Sequence, residues 1–158
     1  MAKFKPMPPL AELQKAFDYD PETGLFLVKY GRGNLKAGDW VGRKLFVRFN
    51  CRSLATSRLA WYMSTGQDPL ELEVDHRDHD RTHNWLSNLR LATRVQNMYN
   101  VRRQGYYYEK SRNKYRVMMK IDGKSTHVGR FDSAEEAERT YREKAVELRG
   151  EFTPQEWL

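Results

Sequence analysis

Between Val74 and Asn100 the chain reads Val-Asp-His-Arg-Asp-His-Asp-Arg-Thr-His-Asn-Trp-Leu-Ser-Asn-Leu-Arg-Leu-Ala-Thr-Arg-Val-Gln-Asn-Met-Tyr-Asn. No other stretch restricts the fold as strongly. Val74-Asp75-His76 suits a short strand, and Leu89-Arg90-Leu91 a second one in apolar-polar alternation. The polar run from Asp78 to Ser87 cannot form regular structure, so it must connect the two as a compact hairpin. Thr93 followed three residues later by Gln96 is a capping-box signature, which predicts a helix starting at Thr93. Asn97 then lies on its first turns, facing back toward the Asp75-His76 strand. The stretch is dense in groups that bind a metal or move a proton: the Asp75-His76 pair, then amides at Asn84, Asn88, Asn97 and Asn100.

The pattern Asp-His, then Asn-x-x-x-Asn-Leu-Arg, then Thr-x-x-x-Asn resembles the HNH endonucleases, whose catalytic unit is a β-hairpin and helix around one divalent cation, the ββα-metal site. The resemblance implies that His76 is a general base, that Asp75 and Asn97 are metal ligands, and that Asn88 fixes the loop after His76. Two positions depart from the usual pattern: Gly or a small residue is common where His79 stands, and Asp where His83 stands.

The chemistry asks for the same groups. Phosphodiester hydrolysis needs a deprotonated water, charge neutralisation at phosphorus and a stabilised leaving oxygen, and one hard cation serves the last two. A carboxylate and an amide oxygen suit Mg2+ or Mn2+, which keep several waters. Imidazole titrates near neutrality, so an uncharged His76 can deprotonate water. His79 and His83 read as solvated loop residues. With one Cys and no Cys-x-x-Cys pair, no structural zinc is expected.

N-terminal to this stretch, Pro6 to Pro9 forms a stiff entry, and Leu10, Leu13 and Phe17 share one face of a short helix. Asp18 to Gly24 reads as a turn and Leu25 to Lys29 as a strand. Gly31 to Gly38, with Arg32 and Lys36, is a flexible basic loop, either an ordinary connection or a clamp on DNA phosphates. Trp40-Val41-Gly42 and Lys44 to Phe49 complete a small sheet. A helix is predicted over Ser53 to Thr65, capped by Ser53 and ended by Gly66 and Pro69, with aromatics that pack on the hairpin. Arg58 within it reads as structural or solvated, with a phosphate contact as the alternative.

From Gly105 the pattern changes to strands over Tyr106–Lys110, Lys114–Ile121 and Lys124–Arg130, the last two joined by Asp122-Gly123, a strong hairpin signal. Ser133 and Glu136 form a second capping box, and Ala134, Ala137, Tyr141, Ala145 and Leu148 make a buried stripe before Gly150. Gly105-Tyr106, Lys114-Tyr115-Arg116, Val128 to Asp132 and Ala134 to Ala137 resemble the Apetala-two/ERF-type DNA-binding domain. In that family a three-stranded sheet enters the major groove with a helix behind it. Alternation turns Tyr115, Val117 and Met119 toward the helix and leaves Arg116, Met118, Lys120, Ser125 and His127 on the open face. A solvated charged face is the alternative.

The fold class expected is therefore α+β. A small N-terminal sheet and helix lead into an HNH motif over residues 1–100, with the motif at 74–100. A basic linker spans 101–104, and a βββα domain spans 105–158. Net charge is +7, and it is unevenly spread: Arg102 to Arg130 holds nine Lys or Arg against two acids, Phe131 to Leu158 four against eight. A basic surface on the second domain thus invites a polyanion. Its DNA-binding candidates are Arg102, Arg103, Lys110, Arg112, Lys114, Arg116, Lys120, Lys124, His127 and Arg130.

Taken together, the readings give a metal-dependent endonuclease of the homing or phage-encoded type acting on double-stranded DNA. One site per chain implies a monomer that nicks one strand, with a dimer for double-strand cleavage. A non-catalytic DNA-binding regulator is the alternative, and an RNA-binding protein a third class. No apolar run approaches 18 residues, the N-terminus lacks a signal-peptide core, and Cys51 stands alone, so a cytoplasmic protein is expected, in a host cell if phage-encoded.

Overall fold

A computed structural model describes residues 5–31, 34–101, 103–121 and 123–158. It divides the chain into two units, residues 1–97 and 98–158. In the first, helix α1 (Leu10–Ala16) leads directly into strand β1 (Phe17–Tyr19). Phe17 was expected on the helix and Asp18-Tyr19 in a turn. Instead, Phe17 is buried against Phe26 and Phe49, with ring centroids 6.2 and 6.0 Å away, so tertiary packing draws the segment into a ladder. β1 pairs antiparallel with β2 (Phe26–Val28), and β2 with β3 (Trp40–Val41).

β4 (Phe46–Phe49) and β5 (Arg52–Ala55) form a separate hairpin. Asn50 and Cys51 at its tip both have positive φ, 47° and 61°, as a two-residue primed turn requires. Ser53 is therefore no helix cap. It pairs with Arg48 inside the hairpin while Leu54, opposite Val47, enters the core, and helix α2 starts only at Thr56. α2 (Thr56–Thr65) ends at Gly66 in the left-handed conformation, as expected. Arg58 is structural: its guanidinium donates to the carbonyls of Leu70 and Leu72 and pairs with Asp68.

The hairpin β6 (Glu73–His76) and β7 (Leu89–Ala92) follows, then helix α3 (Arg94–Tyr99). Its capping box is complete: Gln96 N–H donates to the Thr93 hydroxyl, and Thr93 N–H donates to the Gln96 side-chain oxygen. Leu13, Phe17, Phe26, Val28, Val47, Phe49, Leu54, Leu59, Ala60 and Leu89 form one core, which joins all three sheets of this unit with α1 and α2.

In the second unit β8 (Tyr106–Glu109), β9 (Lys114–Ile121) and β10 (Lys124–Phe131) form an antiparallel sheet with β9 central. Ile121 pairs with Lys124, so a two-residue connection closes the hairpin; of its residues, Asp122 lies outside those described. A bulge between His127 and Gly129 shifts the register. Helix α4 (Ala134–Arg149) starts with the Ser133 hydroxyl accepting from Glu136 N–H. Val117 and Met119 are buried against Ala137, Tyr141 and Ala145, and Tyr115 packs beside them. Leu148, expected in the stripe, is 46% exposed; Trp157 instead covers Tyr141, edge on at 5.9 Å.

Gly105 has φ +70°, and a Cβ there would lie 2.3 Å from the Tyr141 ring. Gly123 has φ +79° but open space around it. Gly105→Ala should lower stability by about 2 kcal/mol or more, and Gly123→Ala by about 1 kcal/mol, the left-handed backbone cost alone. The two urea-denaturation midpoints, measured side by side, check this difference.

Candidate functional site

The β6–β7 register sets the site. Glu73 faces Ala92, Val74 faces Leu91, Asp75 faces Arg90 and His76 faces Leu89. Because side chains alternate along a strand, Glu73 and Asp75 share one face of the ribbon with Arg90, directly opposite Asp75. Arg90 donates from Nε to Asp75 Oδ2 at 2.8 Å, and its Nη2 lies 2.7 Å from the same oxygen. Both side chains are buried, so the pair forms a desolvated, charge-assisted clamp across the hairpin. Asn97, on α3, donates its amide hydrogen to Glu73 Oε2. The helix therefore does face back onto β6, though onto Glu73 rather than directly onto Asp75.

His76 ends β6 and is 8% exposed. Its Nε2 lies 3.2 Å from Asn84 Oδ1. The orientation of that amide is fixed by its other end: Asn84 Nδ2 donates to the carbonyls of Gly42 (3.0 Å) and Thr82 (3.2 Å). Oδ1 can therefore only accept, His76 Nε2 must carry a hydrogen, and Nδ1 is the basic nitrogen. Burial pushes the His76 pKa below its ordinary 6.5, and this outweighs the Asn84 bond and the Asp78 and Asp75 charges, which raise it. At neutral pH the ring is uncharged and able to accept a proton.

Asn84 is itself completely buried. Its carbonyl accepts from the Tyr19 hydroxyl at 2.7 Å, and burial pushes the Tyr19 pKa up to about 12, so that donor keeps its proton. Gly24 is required alongside: a Cβ there would lie 2.4 Å from Trp85 N and 2.5 Å from the Asn84 carbonyl carbon. Residues from β1, the β1–β2 turn and the segment after β3 thus hold the amide that holds His76.

The connection from Arg77 to Ser87 is stitched from within. Asn88 Nδ2 donates to Asp78 Oδ1 (2.9 Å) and to the His83 carbonyl (2.8 Å), Asn88 Oδ1 accepts from Asp78 N–H (3.1 Å), and the Asn88 carbonyl accepts from Arg77 N–H (2.9 Å). Burial would raise the Asp78 pKa, but hydrogen bonds from His83, Asn88 and the Asp80 amide outweigh it, and the carboxyl stays below its usual range. His83 is not simply solvated: Nδ1 sits 2.6 Å from Asp78 Oδ2, and the ring stacks on Trp85 at 4.3 Å. Nor is His79, which adopts φ +68°. That left-handed backbone is the conformation glycine adopts without cost, which accounts for the preference for a small residue at this position.

Two participants, Glu73 and Arg90, escaped the sequence reading, and a third, Asn84, stood in it only as one of four amides without a role of its own. Glu73 was signalled by the period of two that places it beside Asp75. Arg90 was visible as the polar centre of Leu89-Arg90-Leu91. For Asn84 no local signal exists, because its role depends on Gly42 and Tyr19, far away in sequence.

In the second unit the open sheet face carries Tyr107, Glu109, Lys114, Arg116, Met118, Lys120, Ser125, His127 and Arg130, by register. Arg116 lies over the Tyr107 ring at 5.9 Å. Acids occupy some of the cations: Arg130 pairs with Glu109 at 2.7 Å, Arg112 with Glu109 at 3.4 Å, and Lys114 with Asp132. Arg103, Lys110, Lys120, Lys124 and His127 are exposed, and Arg102 lies outside the described residues, as does Arg32 of the N-terminal basic loop. No helix among the described residues is long and apolar enough to cross a membrane.

Comparison with known proteins agrees on the first unit. The HNH endonuclease family model matches residues 54–99. An uncharacterised HNH endonuclease of Acanthamoeba polyphaga mimivirus is 35% identical over 91 residues, which cover 55% of this chain and 48% of that protein. The chain thus spans about half the length of this relative. No solved structure matches. Over residues 54–99, which hold His76, Asn84, Asn88, Asp75 and Asn97 together, the chain is similar to the HNH endonuclease family.

Proposed function

We propose that the chain is a DNA endonuclease in which His76 is the general base of phosphodiester hydrolysis. The observation that carries this is the buried, neutral His76 whose Nε2–H is fixed by Asn84, which makes Nδ1 the basic nitrogen of the ring. As water attacks phosphorus, the imidazolium that forms is stabilised by the Nε2–H bond to Asn84 Oδ1 and by the Asp75 and Asp78 charges. Asn88 keeps the Asp78 loop, and with it the mouth of the site, in one shape.

Asp75 and Asn97 are the residues that would hold a divalent cation. Their chemistry fits: Glu73 and Asp75 put carboxylates on one face of β6, and Asn97 Nδ2 donates to Glu73, which turns the amide oxygen away from that bond. Two or three oxygen donors without a closed cage suit Mg2+ or Mn2+. Bound there, the ion would supply Lewis-acid neutralisation of the phosphate. Arg90 would then share Asp75 with it. In this reading one site per chain nicks one strand, and the sheet of the second unit holds duplex DNA through Arg116, Lys120, His127 and their neighbours, in the manner of Apetala-two/ERF-type domains.

One observation favours a second reading, a DNA-binding regulator with the motif as scaffold: the buried Asp75 is already paired with Arg90 across the hairpin. Supercoiled plasmid incubated with the protein and Mg2+ or Mn2+ separates the two. Nicking should be lost on adding EDTA, and His76→Ala should slow it by about 10²- to 10⁴-fold with DNA affinity retained. A plasmid pool containing the bound site that stays intact would favour the regulator.

The pH profile gives a further check. The base is active when uncharged, and its pKa lies below 6.5, so the acid limb of the cleavage rate should fall below pH 6.5. Asn84→Asp, which places a carboxylate against Nε2, should move that limb to higher pH. Asn84→Leu, which removes the bond that raises the pKa, should move it lower.

A further inference from the structure

A groove of about 1100 Å³ opens in the first unit between β3 and the β4–β5 hairpin. It is larger than the roughly 300–1,000 Å³ usual for small-molecule pockets, and suits a stretch of polymer better than a metabolite. Its walls combine two kinds of group. Trp40 and Phe46, 57% and 55% exposed, are the most exposed aromatic side chains among the described residues, and Leu35 adds apolar floor. Around them stand Arg43, Lys44 and Arg48, and among the described residues no Asp or Glu lines the groove.

We propose that this groove binds an unpaired segment of a DNA strand, with bases stacked on Trp40 and Phe46 and phosphates on the three cations. Aromatic platforms inside a cationic groove are the chemistry that recognises single strands, because every base has a stacking face once it is unpaired. In an intact duplex those faces are occupied by neighbouring bases, and Trp40 and Phe46 would gain nothing. An acidic peptide would use the cations but leave the two exposed rings without a stacking counterpart.

The groove also connects to the proposed base. Gly42 is part of its wall, and the Gly42 carbonyl accepts from Asn84 Nδ2, while Asn84 Oδ1 holds His76. Two hydrogen bonds through one side chain thus separate the groove from the catalytic imidazole. A strand opened near the cut would be held by the same framework that positions the base. The proposal deepens the nuclease reading by naming the substrate form at the site, yet binding in the groove does not require catalysis.

The test is fluorescence anisotropy of a short labelled oligo(dT) with the full chain in EDTA, where no cleavage interferes. Trp40→Ala and Phe46→Ala should each weaken binding roughly 5- to 100-fold, and Trp40→Phe should keep most of it. Both side chains are exposed, so circular dichroism and the thermal midpoint should stay at the wild-type values. Affinity should fall with salt, and a poly-glutamate competitor should displace the oligonucleotide poorly. Unchanged oligo(dT) affinity in both alanine variants would overturn the proposal, as would poly-glutamate or oligo(U) binding tighter than oligo(dT). Plasmid nicking that falls together with oligo(dT) binding in these variants would uphold both readings, and nicking at the wild-type rate with oligo(dT) binding lost would overturn the groove's part in holding the substrate strand. Intact oligo(dT) binding that depends on Trp40, without any nicking, would remove the nuclease reading and leave the groove.

Discussion

The hydrogen bond between His76 and Asn84 is the constraint on which the rest of the first unit depends. An imidazole at the end of a strand can rotate, exchange tautomers and take up a proton; this one is held by an acceptor whose own orientation two backbone carbonyls decide. The amide is completely buried, so an unmet donor or acceptor would carry its full desolvation cost. The fold meets that demand with pieces remote in sequence: the Gly42 carbonyl, the Tyr19 hydroxyl and the close approach allowed by Gly24. The small N-terminal sheet, otherwise a modest layer on the core, is thereby the scaffold of the site.

A second economy is the division of tasks on the two faces of the β6–β7 ribbon. On one, Arg90 is paired with Asp75 and Asn97 is hydrogen-bonded to Glu73. At the end of the other, Leu89 enters the core opposite His76. The ribbon is short, and a one-residue slip would exchange the faces and destroy both. The Arg90–Asp75 clamp, buried and directly cross-strand, works against such a slip, while Asn88 pins the loop that follows.

Much of this was legible in the sequence because the signals were local. The Thr93–Gln96 and Ser133 caps, the Gly66 and Gly150 helix ends, the alternation in β9 and the short strands around Asp75 and Arg90 each follow from a few neighbouring residues. Ser53 misled for a physical reason: its side chain suits a helix cap, but Asn50 and Cys51 accept the left-handed backbone that closes a hairpin, and Leu54 gains burial only as a strand residue. Phe17 was drawn from helix to strand by aromatic packing, and Leu148 lies outside the core that Trp157 joins. Asn84 could be counted among the amides but not ranked, because its importance arises only when Gly42 and Tyr19 come to it in space.

The central claim is that His76 is a neutral base with its lone pair on Nδ1. Long-range proton–nitrogen NMR correlation on the protein labelled with ¹⁵N in its histidine rings observes this directly as a function of pH. The account predicts a His76 ring protonated at Nε2 through neutral pH, taking its second proton only below pH 6.5. A ring protonated at Nδ1 instead, or one already charged at pH 7, would contradict it.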